Sequence, residues 1–168
     1  AETYETIQTL DPKRRHETNM CYYYGKAGNQ KLSDKWREEA YKRNPDPVSA
    51  YNLALKKENT DPEMFERLIK EAMDGGLDCA YLVYGKHIRQ KNKEKAEEFW
   101  QKAFDIWHRE FLNHRLDNDD YSRLIEVSEL LGRNDIAKKV REAKNAIKDE
   151  QVKWFGKDNL ATDRSGVD

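Results

Sequence analysis

Apolar residues recur at spacings of three and four positions over short stretches of this chain, and glycine, proline and asparagine separate those stretches. The clearest stretch lies between residues 92 and 115. Its apolar positions are Ala96, Phe99, Trp100, Ala103, Phe104, Trp107 and Phe111. This spacing places the side chains on one face of an α-helix. No stretch is convincing as a β-strand, so the pattern predicts an all-α fold.

Turn residues divide the pattern into eight predicted helices. Asp46 and Pro47 are expected to be the N-cap and the first residue of the third helix. Ser33 is the expected N-cap of the second helix, and Thr60 with Glu63 is expected to form a capping box. The predicted helices cover about residues 14–27, 33–43, 47–58, 61–74, 77–91, 93–115, 119–131 and 134–152.

Two sequence elements recur along the chain and interleave. The copies of the first are Trp36-x-x-x-Ala40-Tyr41, Leu68-x-x-x-Ala72-Met73 and Phe99-x-x-x-Ala103-Phe104. The copies of the second are Ala50-Tyr51-x-x-Ala54 and Ala80-Tyr81-x-x-Tyr84-Gly85. A period of roughly 30–40 residues is typical of stacked helix pairs, and short joining loops make the two helices of a pair antiparallel.

We therefore expect about four antiparallel helix pairs, forming a single helical-repeat domain over residues 1–156, followed by a flexible tail over residues 157–168. An N-terminal segment with Tyr4, Ile7 and Leu10 precedes the first pair. Trp154 and Phe155 are expected to cap the last pair, because the end of a helical stack would otherwise expose its apolar face.

Composition narrows the classes of partner. Charged residues make up 38% of the 168 residues and the net charge is −1. Acidic and basic residues are interspersed, whereas a nucleic-acid groove needs concentrated positive charge. The one basic cluster, Lys13–His16, is expected to be a solvated helix start. No apolar stretch approaches the roughly 20 residues of a membrane span. A start at Ala1 fits a removed signal or tag, or a fragment, and the compartment stays open.

Candidate chemistry is sparse. Cys21 and Cys79 are predicted to be free thiols, since one intervening helix pair would hold them too far apart for a disulfide. His108 and His114 point about 120° apart on one helix, which does not suit a shared metal. No phosphate loop, carboxylate pair or nucleophile elbow occurs. We expect no cofactor, no metal and no catalysis. An unrecognised enzyme site around Trp107, His108 and Glu110 is the alternative.

Tyrosines and lysines supply the candidate binding residues. Tyr22, Tyr23 and Tyr24 are consecutive and cannot all face one core, because they span about 200° of a helix. Tyr22 or Tyr23 is therefore the best candidate for an exposed contact residue. The proposed partner-binding set comprises Tyr22, Tyr23, Lys26, Tyr51, Lys56, Tyr81 and Lys86. Packing between helix pairs is the alternative for the tyrosines, and a solvated edge is the alternative for the lysines, which are thirty residues apart.

The segment from Leu68 to Gly85, together with Lys95–Ala103, resembles the Sel1-like and tetratricopeptide families of helix-turn-helix repeats. The positions that fit the Sel1-like order are Ala72, Gly75, Ala80, Gly85, Ala96, Trp100 and Ala103. The segment Leu131–Ala137 is similar to the turn of a tetratricopeptide repeat. The second pair departs from the pattern, since Leu55 stands where the third pair has Gly85. The resemblance implies a short right-handed α-solenoid of stacked pairs.

The resemblance also implies a function. Such repeats are adaptors or scaffolds, so we expect a monomeric, non-catalytic module that binds another protein through the concave face lined by the first helix of each pair. A narrower alternative is a bacterial immunity-type inhibitor that neutralises a toxin by direct binding. The enzyme alternative remains, as does a plain helical bundle in which the repeat is fortuitous.

Overall fold

The computed structural model describes the backbone of residues 17–155 and the side chains of residues 19–149. It divides into two compact units, Ala1–Ala80 and Tyr81–Asp168. Several expectations lie outside the described residues: the N-terminal segment around Tyr4, the Lys13 cluster, the cap contacts of Trp154 and Phe155, and the tail over residues 157–168.

Eight α-helices and no strand make up the described part of the chain, which confirms the all-α prediction. The helices are α1 (Glu17–Lys26), α2 (Gln30–Arg43), α3 (Pro47–Lys57), α4 (Pro62–Asp74), α5 (Asp78–Ile88), α6 (Lys93–Leu112), α7 (Asn118–Leu130) and α8 (Asn134–Phe155). None of these helices is both long enough and apolar enough to cross a membrane.

The predicted start of α3 is confirmed. Asp46 is the N-cap, and its carboxylate accepts hydrogen bonds from the backbone N–H groups of Val48 and Ser49, at 2.9 and 3.0 Å. The Ser49 hydroxyl in turn accepts from the Asp46 N–H, which completes a capping box. Pro47 occupies the first helical position, where its missing N–H has no helical partner to lose.

Two other predicted caps are wrong. Asn29 rather than Ser33 caps α2, accepting from the Leu32 N–H at 3.2 Å. Ser33 instead lies buried within α2, where its hydroxyl donates to the carbonyl of Cys21 at 2.8 Å. Asp61 rather than Thr60 caps α4. In both cases the true cap is another good capping residue nearby. For α2, the tertiary contact of Ser33 favours Asn29 as the cap.

The core of the first unit lies between helices that are neighbours in sequence. Helix α1 packs on α2, α2 on α3, and α3 on α4. Two polar contacts tie α2 to α3 and α4. Tyr41 donates to Glu71 of α4 at 2.6 Å, and Glu38 pairs with Lys57 of α3 at 2.6 Å. The hydrogen bond to Glu71 raises the pKa of Tyr41. The largest buried side chains are Met20, Leu53, Phe65, Leu68 and Ile69.

The second unit is built around α6. Its predicted apolar stripe is confirmed, since Ala96, Trp100, Ala103, Phe104 and Trp107 are buried and Phe99 and Phe111 half-buried. Helix α6 contacts α7, and α7 contacts α8. Arg133 ties the turn before α8 to α6: its guanidinium lies 4.1 Å from the ring centroid of Phe104 and donates to Gln101 at 2.7 Å.

Gly85 sets the separation of α5 and α6. The indole N–H of Trp100 donates to the carbonyl of Leu82 at 3.3 Å, so the indole lies directly against the backbone of α5. A methyl group on Gly85 would stand 2.7 Å from Cδ1 of Trp100 and 3.1 Å from the carbonyl oxygen of Ala96. The backbones approach this closely because position 85 has no side chain.

Both cysteines are free thiols, as predicted. Cys79 is buried in the core of the first unit. Cys21 is half-buried, with its sulfur 3.5 Å from the Ser33 hydroxyl oxygen. Each thiol therefore behaves as a small packing group.

Replacing Asp46 with alanine is expected to lower the free energy of unfolding by about 1 kcal/mol near neutral pH. The backbone hydrogen bond from Ser49 is the main cause that lowers the pKa of Asp46. A carboxyl whose pKa is lower in the folded state contributes stability above its unfolded pKa, and the contribution is lost as the pH falls through the folded value.

The difference in free energy of unfolding between wild type and Asp46→Ala, measured by urea unfolding, should therefore become smaller below about pH 4. Asp46→Asn is the control, because asparagine caps about as well as aspartate but does not titrate. A gap between wild type and Asp46→Ala that stays constant down to the acid limit of folding would contradict this assignment.

Candidate functional site

The three consecutive tyrosines of α1 face different surroundings, as their spacing predicts. Tyr24 is buried, Tyr22 is half-buried, and Tyr23 is 41% exposed. The rings of Tyr22 and Tyr23 meet edge to face, with centroids 5.5 Å apart. The exposed Lys26 ammonium lies 5.5 Å from the Tyr22 ring centroid. One end of α1 thus presents two aromatic rings and a cation to the surface.

Helix α3 carries an exposed apolar stripe that the sequence reasoning missed in part. Tyr51 is half-buried and Lys56 exposed, but the most exposed apolar side chains are Val48 and Leu55, at 54% and 40%. Val48 and Leu55 are seven positions apart, so the two point within about 20° of each other. We call Val48, Tyr51 and Leu55 the α3 stripe.

The opposite face of α3 supplies the core, through Ala50, Leu53 and Ala54. Apolar residues therefore surround most of this short helix, and its periodicity cannot distinguish the exposed face from the core face. The repeat alignment is also misleading here. The alignment of the repeats makes Leu55 the equivalent of Gly85, yet Leu55 is exposed while Gly85 packs against Trp100.

In the second unit, Tyr81 joins an aromatic group that the predicted site did not include. Its ring stacks on Phe99 with centroids 6.2 Å apart, and Tyr84 meets Phe99 edge to face at 5.2 Å. Lys102 places its ammonium 5.7 Å from the Tyr81 centroid and 5.8 Å from the Phe99 centroid. Lys95 lies 5.6 Å from the Phe99 centroid. We call Tyr81, Phe99, Lys95 and Lys102 the Phe99 patch.

The two lysines of the Phe99 patch differ in their charge partners. Lys95 pairs with Glu98 at 2.7 Å, and this hydrogen bond raises the pKa of Lys95 and lowers that of Glu98. The charge of Lys102 also contributes to lowering the pKa of Glu98. No carboxylate oxygen of the described residues lies within 4.0 Å of the Lys102 ammonium.

The three lysines spaced thirty residues apart are all exposed but are not equivalent. Lys86 forms an ion pair with Glu126 at 2.8 Å, which ties α5 to α7. Lys26 lies over Tyr22, and Lys56 sits beside the α3 stripe. The predicted set is also divided between the units: Tyr22, Tyr23, Lys26, Tyr51 and Lys56 belong to the first, Tyr81 and Lys86 to the second.

The alternative enzyme site on α6 does not have convergent side chains. Trp107 is buried, and His108 stacks on Phe104 with ring centroids 4.9 Å apart. Glu110 lies on the far side of the helix from His108, about 160° away, and is 3.4 Å from Arg115. A general acid–base pair needs both groups within hydrogen-bond reach of one substrate, so this arrangement does not favour catalysis here.

Metal-binding chemistry has no candidate cluster either, within the part of the chain that the structure describes. No group of three histidine, cysteine, aspartate or glutamate side chains there could hold an ion together. His114, expected on the same helix as His108, instead lies two residues beyond the end of α6, in the left-handed region with φ of 56°.

No protein-family model matches this sequence, and no curated protein shows significant similarity to it. The geometry of the two units is therefore the basis for assigning a function.

Proposed function

We propose that this protein is a non-catalytic module that binds another protein through the exposed faces of α1, α3 and α5. These are the first helices of successive pairs, and we further propose that the pairs stack as a short right-handed α-solenoid of the Sel1-like and tetratricopeptide type. Support comes from the contacts within each unit, where helices pack on their sequence neighbours, as stacked repeats do.

The α3 stripe carries the functional proposal. Single exposed apolar residues are ordinary on protein surfaces, but a contiguous group often marks an interaction site. Val48, Tyr51 and Leu55 form such a group on one face of α3, and Val48 is 54% exposed. Burial of the exposed part of a valine or leucine contributes on the order of 1 kcal/mol to binding. A tyrosine beside them adds a rigid amphipathic contact of the kind that dominates interface energies.

Replacing Leu55 with glutamate tests this surface. We expect the variant to bind the natural partner about tenfold more weakly or worse, because a charge would have to be desolvated at the centre of the contact. The change in folding free energy should stay within about 0.5 kcal/mol, since position 55 is partly exposed. Quantitative affinity capture from the native cell, comparing wild type with variants, measures the first effect, and thermal unfolding measures the second.

Leu112→Glu is the matched control, because Leu112 is the same residue type, is 63% exposed, and lies at the end of α6. The proposal predicts at least one protein that wild type and Leu112→Glu retain and Leu55→Glu loses. The double variant Tyr22→Ala, Tyr23→Ala extends the test to α1. If Leu55→Glu retains every captured protein as well as Leu112→Glu does, the α3 stripe is not a binding surface.

A further inference from the structure

We infer that the Phe99 patch is a second recognition site, and that it binds an acidic side chain of a partner protein next to an apolar one. The inference rests on the proposed function only in taking the ligand to be a segment of another protein. Its residues lie in the second unit, whereas the α3 stripe lies in the first, so the two surfaces can be tested separately.

The position of Lys102 carries the inference. Its ammonium stands within 6 Å of the faces of two rings, Tyr81 and Phe99, a distance at which the ring quadrupoles attract a cation. The rings therefore restrict the ammonium without neutralising it. No described carboxylate lies within ion-pair distance of it, so its N–H groups that face solvent are available to an acceptor.

Held in this way, Lys102 needs less ordering than a free lysine when it meets a carboxylate. A surface ion pair usually contributes little, partly because two long side chains must be fixed in one geometry. Here the two rings already favour one position of the Lys102 ammonium in the unbound protein, which lowers that entropic cost.

The rings define the rest of the ligand. Phe99 and Tyr81 are both half-buried, so each exposes part of an aromatic surface beside the cation. Aromatic edges carry partial positive charge, which also favours a carboxylate there, while the exposed ring surface favours an apolar side chain. The complementary segment therefore has an aspartate or glutamate directly beside an aromatic or aliphatic residue.

Charge count argues against a nucleic acid as the occupant. Lys95 is already paired with Glu98, which leaves Lys102 as the principal cation of the patch. Nucleic-acid binding takes several cations arranged along a phosphate backbone, and this patch does not supply them. One carboxylate matches one available ammonium.

Selection from a phage-displayed library of short random peptides, none with a free carboxyl terminus, tests the inference on the full chain. We expect the selected peptides to share an acidic residue adjacent to an apolar one. A selected peptide, synthesised with blocked ends and labelled for fluorescence anisotropy, should bind about fivefold more weakly to Lys102→Gln and to Phe99→Leu. Lys102→Arg should retain binding, because arginine also stacks on aromatic rings.

Lys93→Gln is the matched control, because Lys93 lies on the same helix, is exposed, and has Glu97 within 3.7 Å. Binding to this variant should change less than twofold. Equal losses of peptide affinity for Lys93→Gln and Lys102→Gln would overturn the inference, because they would show non-specific attraction between the peptide and the basic side chains of α6. So would a shared motif without acidic residues, or no enriched motif. None of these results changes the expected loss of partners by Leu55→Glu, so failure of the Phe99 patch is distinguishable from failure of the proposed function.

Discussion

Replacing Gly85 with alanine is expected to lower the free energy of unfolding by about 1–5 kcal/mol, although the same change usually stabilises a helix. Gly85 lies inside α5, where alanine would gain about 1 kcal/mol of helix propensity. The added methyl group would, however, meet the Trp100 indole at 2.7 Å and displace it. Forcing a group into a packed core costs about 1–3 kcal/mol, and the buried indole N–H would lose its acceptor, at a similar cost.

Urea unfolding of a double-mutant cycle separates these two effects. In a Trp100→Leu background the indole is gone, so Gly85→Ala should become neutral or stabilising by up to about 1 kcal/mol. Gly25→Ala is the control in the wild-type background. Gly25 is also helical, but its methyl group would meet only the Ser33 hydroxyl oxygen at 3.4 Å. Equal destabilisation by Gly85→Ala in both backgrounds would show that Trp100 is not the cause.

The Gly85 contact also positions the Phe99 patch. Tyr81 lies on α5, and Phe99 and Lys102 lie on α6, so the separation of the two helices decides whether Lys102 can reach both rings. If Gly85→Ala moves α5 away from α6, the cation loses one of its two aromatic neighbours. Stability and recognition in the second unit thus depend on the same close approach.

Periodicity in the sequence was sufficient to predict the helices and most of the core, because burial of one helix face is a local pattern. The stripe of α6 shows this, since its predicted residues are the buried and half-buried ones. The cap of α2 shows the limit. Asn29 and Ser33 are both good caps, and the tertiary contact of Ser33 with the Cys21 carbonyl, which the sequence pattern does not show, favours Asn29.

The candidate surfaces were less predictable, because they depend on contacts between residues far apart in sequence. Lys26, Lys56 and Lys86 look equivalent because they are spaced thirty residues apart. Lys86 differs from the other two, however, because it pairs with Glu126, forty residues away in the sequence. Val48 and Leu55 look like core residues of α3, and only the packing of its opposite face on α4 leaves them exposed.

Replacing Gly75 with alanine is expected to destabilise the first unit by about 2 kcal/mol, within the range for overpacking. Gly75 ends α4 with φ of −77°, a conformation that alanine adopts without strain. The cost is steric, because the methyl group would lie 2.8 Å from Cβ of Pro47, and closer still to its Cγ. The proline ring is rigid and begins α3, so relief would require α3 itself to move, together with the α3 stripe.

The neighbouring glycine, Gly76, provides a control in which the cost comes from backbone conformation and not from a steric clash. Gly76 has φ of 85° and open space around its missing Cβ, so Gly76→Ala should cost about 1–2 kcal/mol from backbone conformation alone. Pro47→Gly removes the ring and distinguishes the two. In that background Gly75→Ala should lose most of its effect, whereas Gly76→Ala should keep its own. If urea unfolding shows the Gly75→Ala penalty unchanged by Pro47→Gly, the clash with Pro47 is not its cause.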